Sequence, residues 1–302
     1  MATNLGRAVI DLLGAERVEL RAAATTVLAA VGRGDAAVEA GLIGRLADDD
    51  PGVRRLALEG LVGLGAKGLT AHLVPLLRAD DHGLAERARE LLAADLARAE
   101  PALRKELGAG PIGARRAIAQ LLATRGTQAA IGAVLDQVGD PELGEHALHV
   151  IRERIDHGTG HGAGHGAGGA PAAPGGVAHG GPAQGELADL VEREATARVA
   201  DASKALAKAW AAAGKAATKA KPAAKAKPAA APPADPLRAP EVAHGVAVVG
   251  GLLRLIGYLA RPAAQPLLMR HIGDEQPRPI RLAAIAALRR LVAHGERGTD
   301  KV

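Results

Sequence analysis

The residues whose types and spacing could do chemistry are few, and they fall in four places. His157, His161 and His165 recur every fourth position in "HGTGHGAGH". On a helix that spacing would put three imidazoles on one face, as a metal site needs. Each of them is flanked by glycine, however, and ordering such a chain around an ion costs more entropy than three imidazoles recover. The tract therefore reads as a spacer, and no specific metal is expected. His146 and His149 lie three apart on a predicted helix, near Glu142 and Glu145, and read as an exposed polar face more than as a ligand pair. Asp48, Asp49 and Asp50 are explained as a helix start. The remaining candidate is cationic: Lys204, Lys208, Lys215, Lys219, Lys221, Lys225 and Lys227 follow one another with no acid between residues 203 and 234. Lysines along a chain release counterions from phosphates and give weak, salt-sensitive affinity for nucleic acid without reading its sequence. The other reading of the tract is a solvated spacer.

No hydrolytic or phosphate-binding constellation accompanies these. The isolated histidines 72, 82, 244, 271 and 294 have no partners that spacing can place. "GLGAKG" (63–68) and "HGVAVVGG" (244–251) lack the Lys-Ser/Thr of a phosphate loop opening a helix. The chain has no cysteine, which removes disulfides, thiolate metal sites and thiol nucleophiles and fits a reducing compartment. Neither a signal peptide nor a spanning helix is expected: the most apolar run, 246–260, is short and carries Arg254. These features predict a cytoplasmic protein that is not an enzyme and needs no cofactor.

The elements that carry these residues are helical. Among 302 residues there is no Phe, one Trp and one Tyr, so the core must be built from Leu, Ile, Val and Ala. That palette favours closely approaching helices over sheets. In "ADDDPGVRRLALEGLVGLGAKG" (47–68), an Asp and Pro51 start a helix. Apolar residues at 53, 57, 58, 61, 62 and 64 then follow its period, and glycines stop it. Equivalent helices begin near Leu20, Val53, Leu84, Ala114 and Leu143, at steps of 33, 31, 30 and 29 residues, each preceded by a shorter helix. A further copy begins at Ile280. Helix pairs at a fixed period of about 30 residues are the signature of a stacked array.

"DPGVRRLALEGL" (50–61) and "DEQPRPIRLAAIAAL" (274–288) resemble HEAT repeats, particularly the short bacterial kind also found in phycobilin lyases. The resemblance covers about 1–156 and 260–295. It implies an all-α, HEAT-like solenoid, interrupted by a disordered, partly helical insertion. It also implies a ladder in which a turn Asp bonds the Arg after the Val of a stacked repeat. Arg21, Arg54, Arg115 and Arg281 hold the Arg position, while Ala85 and Gly144 replace it elsewhere. Arg55 joins Arg54 as a candidate for partner contact. Lyase activity, or that of helical-repeat DNA glycosylases, would require aromatic pocket residues, and this chain has almost none.

The expected organisation is an array of about five helix pairs over 1–156, then a Gly/His/Pro-rich flexible linker over 157–185. A long helix over 186–214 and a disordered Lys/Ala/Pro tract over 215–236 follow. A C-terminal helix and repeat complete it over 237–302, where "TDKV" (299–302) is expected to open a further helix of a truncated array or one docked on the first block. Charge is uneven: net −3 over 1–156, +3 over 157–235 and +5 over 236–302. The leading functional expectation is a protein-binding scaffold with an unidentified protein partner and no membrane partner. The alternative is a nucleic-acid-associated protein acting through the lysine tract.

Overall fold

The computed structural model describes residues 2–158, 184–219 and 235–299. These are all-helical: fourteen α-helices and no strand occur among the described residues. They fall into two compact units, Met1–Glu106 and Leu107–Val302. The linker histidines 161 and 165, and Lys221, Lys225 and Lys227, lie outside the described residues.

Unit 1 contains α1 (Ala2–Asp11), α2 (Val18–Val31), α3 (Ala36–Arg45), α4 (Pro51–Leu64), α5 (Leu69–Leu76), α6 (His82–Ala94) and α7 (Leu96–Glu106). Three of its helix starts are set by aspartates. Asp35, Asp50 and Asp81 each accept backbone N–H bonds from the first turn of α3, α4 and α6, with Asp50 taking Val53 N at 3.0 Å. Pro51 supplies the first helical residue, and Gly65 at φ 66° ends α4 in the left-handed conformation that a Cβ would oppose. α7 begins at Leu96 and runs on through Pro101; Asp95 alone separates it from α6. The core is aliphatic: Leu28, Leu42, Leu58, Leu61, Leu84, Leu92 and Leu103 are essentially inaccessible. Each contributes roughly 1.5–3 kcal/mol by leaving water. α2 and α4 meet closely at Gly60, where an added Cβ would lie 2.8 Å from that of Ala29.

Unit 2 contains α8 (Ile112–Arg125), α9 (Gln128–Leu135), α10 (Gly144–Gly158), α11 (Gln184–Lys219), α12 (Pro240–Leu259), α13 (Gln265–Met269) and α14 (Arg278–Thr299). The array expected over 1–156 is thus divided, with α8–α10 belonging to the same unit as the C-terminal helices. α11 is longer than the 186–214 expectation at both ends, and it is part of the core. Leu187, Val191, Ala195, Val199 and Leu206 are buried at helical spacing, and the helix packs on α9, α10 and α12. These residues form the face that covers α12. Thr299 closes α14, and 300–302 lie outside the described residues.

α12 is the centre of this unit. By length and composition it could cross a bilayer, the one such helix among the described residues. Val249, Leu252, Leu253, Leu255 and Ile256 are nevertheless covered by protein, since α10, α11 and α14 all pack on it. Small residues allow this. At Gly257 an added Cβ would stand 2.4 Å from the Cβ of Ala287 and 2.5 Å from its Cα, which is backbone and cannot yield. Gly257→Val is therefore expected to separate α12 from α14 and to cost about 1–3 kcal/mol. Urea unfolding followed by the fluorescence of Trp210, which lies on α11, would measure it.

Candidate functional site

The arginines singled out by the sequence form a recurring contact. Arg21 on α2 grips Asp48 in the turn before α4, with Nε to Oδ2 at 2.9 Å and Nη2 to Oδ1 at 2.8 Å. Arg55 on α4 does the same to Asp81 before α6, at 2.9 and 2.7 Å. In unit 2, Arg115 on α8 reaches Asp140 before α10 at 2.6 Å and also donates to the Leu107 carbonyl. Donor and acceptor are 27, 26 and 25 residues apart. Each guanidinium therefore ties one longer helix to the turn that starts the next.

Asp81 and Asp140 serve twice: Asp81 also accepts N–H bonds from the first turn of α6, and Asp140 accepts them from Glu142 and Leu143 in the turn that leads into α10. Asp48 instead accepts from Asp50 N and from Arg45, and its side chain is 1% exposed. Burial pushes the Asp48 carboxyl up, but Arg21, the Asp50 N–H and the charge of Arg45 outweigh it and hold it below its ordinary value. Asp81 is lowered by Arg55, and Asp140 by Arg115 against its own desolvation.

Not every expected rung occupies its place. Arg54 turns back onto the carbonyls of Asp48 and Asp49, at 2.8 and 3.2 Å, and its neighbour Arg55 makes the bridge instead. Arg281 bonds Asp274 ahead of its own helix. Gly144, in an Arg position, has the Val138 carbonyl oxygen 2.4 Å from where a Cβ would stand, so no side chain fits there. On α6, where Ala85 holds the Arg position, Arg87 reaches back to Glu59 on α4. The next turn carries Gly110 and Pro111 where the other turns carry Asp, and the boundary between the units falls just before it.

The lysines behave differently. Lys204, Lys208 and Lys215 lie at i, i+4 and i+11 on α11, which puts all three on one exposed face. The helix runs on through Lys219, so Lys215 and Lys219 belong to a helix where the sequence suggests a disordered tract. Lys204 has Asp201 at 3.7 Å.

His146 and His149 make separate contacts. His146 Nε2 lies 3.2 Å from the Arg116 carbonyl and His149 lies 3.8 Å from Glu153, so the pair does not converge. No cluster of three His, Cys, Asp or Glu able to hold a metal occurs among the described residues. Sequence reasoning missed Ser203–His271, 68 residues apart: Ser203 Oγ is 3.0 Å from His271 Nε2, and His271 Nδ1 is 2.9 Å from the Leu267 carbonyl. Spacing cannot reveal such a pair, which pins α11 to the turn after α13. A cleft of about 660 Å³ lies between α9, α11 and α12, floored by Leu135, Leu206 and Val248. Its Arg198 is held by Asp136 and Glu194. In the last turn of α12, burial and a hydrogen bond donated to Asp156 push the Tyr258 phenol up to about 12.

No protein-family model matches the chain. No curated protein matches it either. Among solved structures it is similar to two engineered proteins of the Northeast Structural Genomics Consortium. One is 13% identical, with 95% of this chain and 96% of the other covered and a TM-score of 0.23. The other is 15% identical, with 95% and 78% covered and a TM-score of 0.28.

Proposed function

We propose that the chain is a HEAT-like helical-repeat scaffold that binds a protein partner in the cytoplasm and carries no catalytic centre. The observation that supports this best is the recurring arginine-to-turn-aspartate brace, whose three bonds span 27, 26 and 25 residues. Its polar groups serve to hold helix pairs in register, which suits a protein whose product is an extended surface. A pull-down from a lysate of the source organism, with and without nuclease, tests the reading. A discrete protein recovered equally in both supports it; recovery that vanishes with nuclease overturns it.

The exposed face shared by Lys204, Lys208 and Lys215 favours a second reading, contact with nucleic-acid backbone. Replacing all three by Glu should then abolish binding to a fluorescent DNA duplex. In the unmodified protein, log affinity should fall against log salt with a slope near −0.9 per phosphate contact. If binding persists in the triple variant, α11 is not the contact.

A further inference from the structure

The outward face of α14 is left uncovered by the described residues and has a definite chemistry. Ile280, Ala284 and Ala287 point into unit 2 and are buried. On the opposite side lie Arg278, Leu282, Ile285, Arg289 and Val292, at steps of four, three, four and three residues. That is the spacing of a coiled-coil seam. Leu282 is 55% and Val292 56% exposed, and a shallow groove runs between Ile285, Leu288, Arg289 and Val292. Arg278, Arg289 and the flanking Arg290 have no ion-pair partner among the described residues, and α14 carries no acid between 278 and 294.

We propose that this face docks an acidic amphipathic helix of a partner protein, with Leu282, Ile285 and Val292 packing against its apolar seam and a partner carboxylate facing Arg289. The proposal rests on the scaffold reading and gives it a face and a partner chemistry. A polar residue inside an otherwise apolar seam selects its partner, because it costs desolvation unless the opposite position answers it. A second copy of this chain answers poorly. Parallel pairing would oppose Arg289 to Arg289, and antiparallel pairing would set it against Ile285, with no acid between 278 and 294 on either helix to answer it.

The probe is a fluorescein-labelled synthetic helix of three heptads, with Leu in the seam, Glu on its flanks and one Glu within the seam. It should bind the full chain, as read by anisotropy, and bind at least tenfold more weakly to the Arg289→Glu variant. A probe with Lys at the seam position should recover affinity for that variant. Because residue 289 is exposed, unchanged circular dichroism and melting should accompany the loss. Failure of the acidic probe to bind, or equal binding to both proteins, overturns the proposal. So does self-association of the unmodified chain, or its capture by anionic vesicles, if Ile285→Glu abolishes it. A partner recovered by pull-down that Ile285→Glu still retains would leave the scaffold reading standing and remove this one.

Discussion

Replacing Asp48 by asparagine is expected to destabilise unit 1 by about 3 kcal/mol, because it removes the buried anion around which three groups are arranged. Arg21, Arg45 and the Asp50 N–H all point at this carboxylate, and its side chain is 1% exposed. An amide can satisfy one lone pair but not the charge, so Arg21, itself 11% exposed, would keep its desolvation without its counterion. Urea unfolding followed by far-ultraviolet circular dichroism measures the loss; an unshifted transition would refute it. The pH dependence has a definite sign. The folded carboxyl titrates below its ordinary value of about 4, so its contribution is fully present above that pH. It is lost as pH falls through the lowered folded value. The gap between the native protein and Asp48→Asn should therefore be constant near neutrality and close in acid. Asp81 and Asp140 are shifted the same way, so acid should weaken both units.

That brace also shows where sequence reasoning succeeds and where it stops. Helix positions were legible because they are local: Asp50, Pro51, the apolar period and Gly65 mark α4 within sixteen residues, and the structure places each in its expected role. The long helix over α11 was legible for the same reason. Which arginine bridges was not, because Arg54 and Arg55 are adjacent on one turn. Only the packing of α4 decides that Arg55 faces Asp81 while Arg54 folds back on its own turn. The division into units was hidden for a related reason. It falls where the helical period continues through α7 but the side chains that tie one turn to the next are missing. Ala85, Gly110 and Pro111 spell this in the sequence, yet its meaning depends on knowing that the braces exist. The partnership of α11 with α12 joins segments on either side of residues 220–234, and nothing in local spacing reports it. Ser203 and His271 fall in the same class.

The status of α12 can be settled by one substitution. Leu253→Ala should cost roughly 3 kcal/mol, within the 2–5 kcal/mol range for truncating a fully buried leucine, because α10, α11 and α14 hold its surroundings too rigidly to collapse. The side chain is 0% exposed, so both its transfer free energy and the cavity it leaves would count against folding. Trp210 on α11 reports the loss as a lowered urea midpoint. The same helix inserted in a bilayer would behave otherwise, because lipid would fill the space and leucine and alanine differ little in a chain already surrounded by hydrocarbon. A shift of the predicted size thus identifies α12 as the core of a helical unit, despite a length and composition sufficient to span a membrane. A midpoint that does not move would mean that the helix is not packed on α10, α11 and α14 in solution. It would also remove the support on which α14 presents its outward face.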